Sequence, residues 1–385
     1  MTQPIYLDYN ATTPVAPEVL EEMLPYLRRD FGNPSSAHPY GAAARAGVEA
    51  ARARVAQLLG AEADEILFTS GGTESDNAAI FGICRPGATA RRHVVTTAVE
   101  HPAVEAPLRA LERDGWRVTR VAVGPDGRVD AAAVIDAMTD DTALVTIMHA
   151  QNETGALMPI AAVAAEARRR AIPIHTDAAQ SVGKVEVDVT ALGVDLLTIA
   201  GHKVYAPKGV GALYLRRGTK LAPLLLGAGH ESGRRAGTEN VAGVVGLGAA
   251  AELLRRDLPA RARHLRGVRD RLHARLLNHL PDLRLNGPEE ERLPNTLNVA
   301  IPGVSAAALL AAVPGVAAAA GAACHAGTIE PSAVLLAMGI SRELASCSLR
   351  LTVGHPTTPM EADLAAERIG AAALRLRREL RGHNT

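Results

Sequence analysis

Short apolar segments that alternate with helical patterns constrain the fold of this chain more than any other feature. The apolar segments cover residues 65–68, 93–96, 117–121, 144–148, 172–175, 196–199 and 211–215. Helical patterns cover residues 17–24, 39–59, 74–83, 104–113, 131–138 and 160–170. Valine- and isoleucine-rich strands that are each followed by a helix are typical of a parallel sheet with both faces covered. The alternation therefore predicts a large α/β domain with a mostly parallel, seven-stranded sheet.

The pattern changes after about residue 240. A long helical segment, which we expect to break near Pro259, is followed by strand patterns at residues 296–301 and 349–353. Further helical patterns cover residues 306–313, 332–338 and 359–381. A chain of 385 residues is long for a single core and suggests two domains. We expect a large domain over residues 15–250 and a smaller α+β domain formed by residues 1–14 and 251–385.

Composition and charge exclude several classes of protein. Acidic and basic residues balance at 41 each, so nothing indicates a nucleic-acid or anionic-membrane partner. We find no strongly apolar segment of membrane-spanning length, and the N-terminus lacks the charged and apolar parts of a signal peptide. The three cysteines form neither a disulfide framework nor a Cys-x-x-Cys pair typical of zinc sites. We therefore expect a reduced, cytoplasmic enzyme without a bound metal.

Lys203 is the first candidate for a chemical role, because lysine is scarce in this chain. Only four of the 41 basic residues are lysines, at positions 184, 203, 208 and 220. Lys203 follows the apolar segment 196–199, so we expect it just beyond a buried strand. A desolvated lysine has a lowered pKa and a nucleophilic amine, which an imine with a carbonyl cofactor requires. The alternative interpretation is a lysine that neutralises a nearby carboxylate.

Two further segments supply the other parts of a cofactor site. Residues 68–77 have the pattern of a strand end, a glycine turn and a helix start, where free N–H groups and the Ser70 and Thr73 hydroxyls can hold a phosphate. An ordinary capping box at Thr73 is the alternative. Asp177 follows a strand, where an acid can keep a pyridine nitrogen protonated or simply cap a helix. The phosphate loop, the acid and the lysine together predict pyridoxal phosphate as the cofactor.

Three more side chains are candidates for the site. His101 lies at a strand-to-helix turn, where it is suited to stacking on a flat ring, although a lone histidine there is more often a helix-start or surface residue. Cys324 lies among glycines and alanines beside a histidine, which favours an exposed thiol on a mobile loop, whereas Cys84 and Cys347 fit buried positions. Arg350 could clamp a carboxylate or be one of many surface arginines.

Eight motifs follow one another in an order that resembles the cysteine desulfurases, which are pyridoxal-phosphate enzymes of the class V aminotransferase type. The motifs are Tyr6-Leu-Asp-Tyr-Asn-Ala-Thr-Thr-Pro14, Phe31-Gly-Asn-Pro-Ser-Ser36, Thr69-Ser-Gly-Gly-Thr-Glu74, Glu100-His-Pro102, Asn152-Glu-Thr-Gly155, His175-Thr-Asp177, Gly201-His-Lys203 and Arg235-Ala-Gly-Thr-Glu-Asn240. The resemblance extends from Tyr6 to about Glu361. It implies the pyridoxal-phosphate-dependent transferase fold of type I and a homodimer.

The resemblance also implies roles in cofactor binding. Lys203 is similar to the lysine that binds the cofactor covalently, Asp177 to the partner of the pyridine nitrogen, and Gln180 to the contact of the ring hydroxyl. His101 matches the stacking histidine, which also takes part in catalysis. The residues that match phosphate contacts are Gly72, Thr73 and His202, together with Thr238, which reaches the phosphate of the neighbouring subunit.

The implied reaction converts L-cysteine to L-alanine. Asn152 and Arg350 resemble the site of the substrate carboxylate. Cys324 resembles the cysteine that accepts sulfur as a persulfide and passes it to an acceptor protein, such as an iron–sulfur scaffold or a tRNA-thiolation enzyme. The spacing of six residues from Cys324 to Glu330 is that of the group with a long, flexible cysteine loop.

Three departures from the family pattern stand out. Ala200 replaces a phosphate-binding serine of many relatives, and Gln151 replaces the first asparagine of the common Asn-Asn-Glu pattern. The segment Gly-Ala-Ala-Cys-His around Cys324 closely resembles that of selenocysteine lyases. A selenocysteine lyase that releases selenide and L-alanine is therefore the alternative function. An aminotransferase would leave the cysteine loop without a role.

Overall fold

The computed structural model describes residues 3–85, 89–320, 323–325 and 328–382, and of residues 323–325, 328, 329, 381 and 382 it describes the backbone only. The first elements are β1 (Ile5–Tyr6), α1 (Pro17–Arg28) and α2 (Pro39–Leu59). Helix α2 begins after His38, whose Nδ1 accepts a hydrogen bond from the Gly41 N–H at 3.2 Å. It ends at Gly60, whose φ of 65° is the left-handed conformation that favours glycine at a helix end. The predicted bounds 39–59 are confirmed.

A seven-stranded sheet forms the centre of the molecule. Its strands are β2 (Ile66–Thr69), β3 (His93–Thr97), β4 (Arg117–Val121), β5 (Thr142–Thr146), β6 (Ile174–Asp177), β7 (Leu196–Ala200) and β8 (Gly211–Leu215). They are arranged in the order β2-β8-β7-β6-β5-β3-β4. Strand β8 is antiparallel to both its neighbours, and the other pairs are parallel. The predicted mostly parallel, seven-stranded sheet is therefore confirmed.

Helices cover this sheet on both faces. They are α3 (Gly72–Cys84), α4 (Pro102–Arg113), α5 (Ala131–Ala137), α6 (Ile160–Arg169) and α7 (Val189–Leu192). Neighbouring residues of one strand belong to different apolar clusters: Val94 packs in one cluster and Val95 in the other, and Leu144 and Val145 divide in the same way. Successive side chains of a strand point to opposite faces, so each cluster occupies one face of the sheet.

One strand begins later than its apolar pattern predicts. The pattern covers residues 172–175, but β6 begins at Ile174. Pro173 has no N–H to donate to a neighbouring strand, and proline is confined to strand starts and edges for that reason. The strand also ends later than the pattern, so Asp177 is the last residue of β6 and not a residue of the following turn.

The long helix α8 (Val241–His279) runs without interruption through Pro259, so the predicted break is wrong. Leu247 and Leu254 pack in the core beside the large sheet, whereas Leu265 and Leu272 pack in a second core. Proline removes one hydrogen bond from a helix interior, but packing on both sides of it holds this helix together. The change from one core to the other falls between Leu254 and Leu265, slightly beyond the proposed boundary at residue 250.

The second core lies against a smaller sheet. The remaining elements are β9 (Arg284–Leu285), β10 (Thr296–Ala300), α9 (Ala306–Ala312), β11 (Val316–Ala317), β12 (Ala319–Ala320), β13 (Ala323–His325), β14 (Thr328–Glu330), α10 (Ala333–Ala337), α11 (Arg342–Ser346), β15 (Ser348–Thr352) and α12 (Pro359–Gly382). The small sheet is antiparallel and has the order β12-β15-β10-β9. Strand β1 pairs with β11, which brings the N-terminus to this part of the fold. None of the helices in the described ranges has the length and apolar character to cross a membrane.

Candidate active site

The carboxyl ends of the parallel strands open into a cavity of about 310 Å³. Strand β6 ends there at Asp177, β7 leads to Lys203, and β2 leads into α3. This edge of an open α/β sheet is where ligands usually bind. The predicted site residues that line the cavity are Gly72, Thr73, His101, Asn152, Asp177, Gln180, His202 and Lys203.

Lys203 lies in a short turn directly after β7 and is largely buried. Its Nζ donates a hydrogen bond to the main-chain oxygen of Asn10 at 2.5 Å. Burial, followed by the charge of Arg350, lowers the pKa of Lys203 to about 8. The described part of the chain contains no ion-pair partner for this lysine, so the geometry fits a nucleophilic amine better than a neutralising charge.

His101 lies at the start of a helix and also lines the cavity. It precedes α4, and its Nδ1 accepts a hydrogen bond from the Ala103 N–H at 3.1 Å, so it caps this helix. The ring also lines the cavity. Burial lowers the pKa of His101, which favours the neutral ring, and the hydrogen bond at Nδ1 places the proton on Nε2.

Asp177 is buried at the floor of the cavity. Its Oδ1 accepts a hydrogen bond from the Ala179 N–H at 2.9 Å. Burial raises the pKa of this carboxyl group, whereas that hydrogen bond and the nearby His101 and Lys203 lower it. A cation placed against Asp177 would stabilise its charged form.

Two more buried acids lie near Asp177, and the sequence did not single them out. Asp76 on α3 also lines the cavity, and its Oδ1 is buried without a hydrogen-bond partner among the described residues. Burial and the neighbouring Asp177 raise the pKa of Asp76 well above its usual value. Glu100 accepts hydrogen bonds from the Met148 N–H and the Thr97 hydroxyl, and burial raises its pKa to about 8. The Oδ1 atom of Asp76 lies 3.6 Å from Nε2 of His175, so the three acids share a polar, buried floor with this histidine.

The start of α3 fits a phosphate cradle. The N-cap residue Gly71 provides no side-chain hydrogen bond, and Thr73 lies inside the first turn, so the alternative of a capping box at Thr73 is wrong. A Cβ added to Gly72 would lie 3.2 Å from the Cβ of Ala200, which is tighter than an ordinary contact. Glycine therefore allows the start of α3 to lie close to the end of β7, where its N–H groups form the positive end of the helix.

Arg350 lies in β15 beside the cavity, with only 13% of its side chain exposed. Its NH2 group pairs with Oδ1 of Asp8 at 2.8 Å, and its NH1 group donates to the main-chain oxygen of Asn152 at 3.2 Å. The Nε atom is buried and has no partner in the described ranges. Arg350 is therefore not a surface arginine, and its buried Nε retains one unused hydrogen-bond donor.

Two predicted residues lie elsewhere. Thr238 lines a separate surface cavity with Ser70 and Arg235, away from Lys203 of its own chain. Cys324 lies in β13, which pairs with β14, so its backbone forms a short ribbon where the sequence indicated a loop. The Cys324 side chain lies outside the described part of the structure. Cys84 and Cys347 are buried free thiols, as predicted, and burial raises the pKa of Cys84 to about 12.

The sequence reasoning also missed three polar residues that hold the site together. Asp8 pairs with Arg350, while Asn10 and Lys184 lie behind Lys203 and Gln180. The scarcity of lysine, which pointed to Lys203, applies equally to Lys184. Asp8 and Asn10 lie in the N-terminal motif, but nothing in their local pattern indicates contact with residues more than 150 positions away.

Comparisons with known proteins agree with this geometry. The model of the family described as aminotransferase class-V matches residues 5–364. A protein named cysteine desulfurase IscS from Anaeromyxobacter dehalogenans (strain 2CP-C) is 47% identical over 98% of this chain and 94% of its own length. A solved structure described as a NifS-like protein is similar with a TM-score of 0.90 and 34% identity, covering 96% of this chain and 99% of its own. Another, described as SspA in complex with cysteine, has a TM-score of 0.82 and 35% identity over 92% of this chain and its full length.

These matches cover nearly all of the chain, including both cores and the residues that surround the cavity. The chain therefore belongs to the class-V aminotransferase family and, within it, to the cysteine desulfurases. The relatives support desulfurase activity over the selenocysteine lyase alternative.

Proposed function

We propose that this protein is a pyridoxal-phosphate-dependent cysteine desulfurase, which converts L-cysteine to L-alanine and leaves the sulfur as a persulfide on Cys324. The observation that carries the proposal is the cavity that joins the low-pKa amine of Lys203, the buried acid Asp177, the neutral ring of His101 and the open start of α3. Membership of the cysteine desulfurases supports the substrate.

The residues that line the cavity suggest an assignment for each part of pyridoxal phosphate. We assign the phosphate to the α3 N-terminus with Gly72, Thr73 and His202, and the ring nitrogen to Asp177. His101 would stack on the cofactor ring. We further assign Gln180 to the ring hydroxyl and Lys203 to the covalent attachment of the cofactor. Ala200 contributes no hydroxyl, so the N–H groups of α3 carry more of the phosphate binding here.

The bound cofactor supplies an electron sink for charge that develops on the substrate Cα. The free amine of Lys203 would remove the Cα proton of the substrate and later return a proton to the product. Asp177 would hold the ring nitrogen in its protonated form. The Cys324 thiolate attacks the substrate sulfur, so that an S–S bond forms and the C–S bond breaks. L-Cysteine and the enzyme thiol thus become L-alanine and the enzyme persulfide.

The substrate carboxylate binds beside Arg350 and Asn152. Arg350 donates to Asp8 through NH2, and its Nε is unpaired among the described residues, so we assign a further hydrogen bond from this guanidinium to the substrate carboxylate. The pairing with Asp8 holds the guanidinium in place. Burial of this group strengthens the interaction with a carboxylate.

The acceptor of the sulfur is a second protein, such as an iron–sulfur scaffold or a tRNA-thiolation enzyme. A reducing, cytoplasmic compartment suits both the persulfide and the unpaired, buried Cys84 and Cys347. Incubation of the purified enzyme with L-cysteine and, separately, L-selenocysteine tests the assignment. We expect equal amounts of alanine and protein persulfide from L-cysteine. An enzyme that turns over L-selenocysteine but not L-cysteine would contradict the proposal.

The lowered pKa of Lys203 leads to a prediction for the cofactor-free enzyme. Only the neutral amine attacks the cofactor aldehyde, so the rate of covalent attachment should rise with pH and level off above a midpoint near 8. An ordinary lysine would give a midpoint of about 10.4. Stopped-flow absorbance over a series of pH values measures this midpoint, with free N-acetyl-lysine amide as the control. A midpoint above about 10 would mean that Lys203 is not desolvated as described.

We also propose a homodimer, because Thr238 lies away from the cavity of its own chain and is assigned to the phosphate in the neighbouring subunit. Sedimentation at working concentration should give a dimer. Thr238→Val should remain dimeric but bind the cofactor about tenfold more weakly, because it loses one hydrogen bond to a charged group. An active monomer, or a Thr238→Val variant with unchanged cofactor affinity, would contradict this arrangement.

A further inference from the structure

Lys184 is a second buried lysine behind the active site, and the mechanism above does not use it. Only 7% of the residue is exposed. Its Nζ donates hydrogen bonds to Oε1 of Gln180 at 2.9 Å and to Oδ1 of Asn10 at 3.2 Å. No carboxylate pairs with it in the described part of the chain. A buried lysine without an acid partner is costly, so its two contacts call for an explanation.

The first contact determines the orientation of the Gln180 amide. With Oε1 accepting from Lys184, the Nε2 group faces the opposite way and donates to the main-chain oxygen of Asn10 at 2.9 Å. The reversed amide would direct its own N–H groups at Lys184 and its oxygen at another oxygen. The same Asn10 oxygen accepts from Lys203, so the Gln180 N–H groups and the Lys203 amine share one acceptor.

The second contact holds that acceptor in place. Oδ1 of Asn10 accepts from Lys184 and also from Nδ2 of Asn295 at 2.9 Å. The Asn10 Nδ2 donates to the Thr296 hydroxyl at 2.9 Å, and its N–H donates to the Thr352 hydroxyl at 3.0 Å. Asn10 is fully buried, and these bonds fix it between the two cores with its carbonyl oxygen directed at Lys203.

We propose that Lys184 is a positioning residue for Lys203, which acts by fixing the amide of Gln180 and the carbonyl oxygen of Asn10. The proposal rests on the assignment of Lys203 as the residue that binds the cofactor. Lys184 would thereby keep an N–H donor of Gln180, and not its oxygen, on the side of the Lys203 amine and the cofactor ring.

The charges around Lys184 set the direction of the expected effect. Burial, Lys203 and Arg350 all lower the pKa of Lys184. The ionisable groups that line the small cavity beside it are Tyr9, Lys203, Tyr205, Arg261 and His355. In Lys184→Met, the amide of Gln180 is free to turn its oxygen towards Lys203, and any positive charge at position 184 is lost. Both changes stabilise the protonated amine, so the pKa of Lys203 should rise.

The test measures the midpoint pH for covalent attachment of pyridoxal phosphate to the cofactor-free Lys184→Met enzyme. We expect the midpoint to rise by about one pH unit or more, which is a tenfold change in proton affinity. The kcat for L-cysteine should fall about tenfold with KM changed less than twofold, since Lys184 is not among the residues that line the active-site cavity. Lys220→Met, which removes an exposed lysine, is the matched control and should leave both quantities unchanged.

Two further variants separate positioning from a purely structural role. Lys184→Gln keeps an N–H donor without a charge and should give a midpoint between those of the wild type and Lys184→Met. Gln180→Leu removes the intermediary and should raise the midpoint in the same direction, which provides the test if Lys184→Met does not fold. An unchanged midpoint in Lys184→Met, or in both other variants if that one is insoluble, would overturn the proposal. Wild-type enzyme that attaches the cofactor at a residue other than Lys203 would instead overturn the proposed function.

Discussion

Replacing Lys203 by alanine should abolish covalent attachment of pyridoxal phosphate and lower L-cysteine desulfuration by about 10³-fold or more, because it removes both the nucleophile and the base. The phosphate cradle at Gly72 and the acid Asp177 remain, so the variant should still bind the cofactor without a covalent bond. Its absorbance should resemble that of the free aldehyde. Thermal unfolding should change little, because among the described residues the Lys203 amine forms one hydrogen bond, to the Asn10 oxygen.

Borohydride reduction followed by peptide mapping checks the attachment site. In the wild-type enzyme the reduced cofactor should be found on the Lys203 peptide. Lys208→Ala and Lys220→Ala remove exposed lysines and serve as controls that should retain the label and the activity. Labelling of Lys184, Lys208 or Lys220 in the wild-type enzyme would show that the lysine is wrongly assigned.

Replacing Cys324 by serine should prevent formation of the protein persulfide and lower alanine release by roughly 10³-fold or more, since a hydroxyl at this position cannot accept sulfur. The variant should still bind L-cysteine at the cofactor, because Lys203, Asp177 and Arg350 are unchanged. Absorbance changes on addition of L-cysteine should therefore persist while turnover is lost.

The other two cysteines are matched controls for this variant. Cys84 is the last residue of α3 and packs against the sheet, and Cys347 directly follows α11, both of them buried. Cys84→Ser and Cys347→Ser should retain sulfur transfer and at most lose stability, because each places a hydroxyl in an apolar setting. Mass spectrometry after one turnover should locate the added sulfur atom on the Cys324 peptide. Sulfur on either control cysteine, or full transfer by Cys324→Ser, would remove the proposed mechanism.

Local sequence patterns were sufficient to predict most of the helices and strands, because the ends and periodicity of these elements depend on residues that are neighbours in the chain. The bounds of α2 follow from Pro39 at its start and Gly60 at its end, and the seven strands follow from apolar runs. Pro259 shows the limit of such reasoning. A proline normally interrupts a helix, but α8 is held on either side of it by two different cores. Whether α8 continues through Pro259 therefore depends on long-range packing, which the local sequence does not reveal.

For the active site as well, local patterns predicted some residues, and only the tertiary structure revealed the others. Glycine turns and strand ends marked Gly72, Asp177 and Lys203 as chemical candidates, since each lies where a strand meets a turn. Nothing local predicted that Glu100 would share the same buried floor as Asp177, or that Lys184 would lie behind Lys203. These environments arise from residues that are distant in sequence, and burial shifts their pKa values only once the chain has folded.

The sequence by itself determined the class of fold, the order of its motifs and the residue types that the chemistry needs. The tertiary structure decided which of those residues meet. The order β2-β8-β7-β6-β5-β3-β4 brings the ends of separate strands to one cavity, and the N-terminal segment crosses to it with Asp8 and Asn10. The physical reason is that periodicity and turn preferences act over a few residues, whereas hydrogen bonds between Asn10 and Lys203 or between Asp8 and Arg350 exist only after both cores have packed.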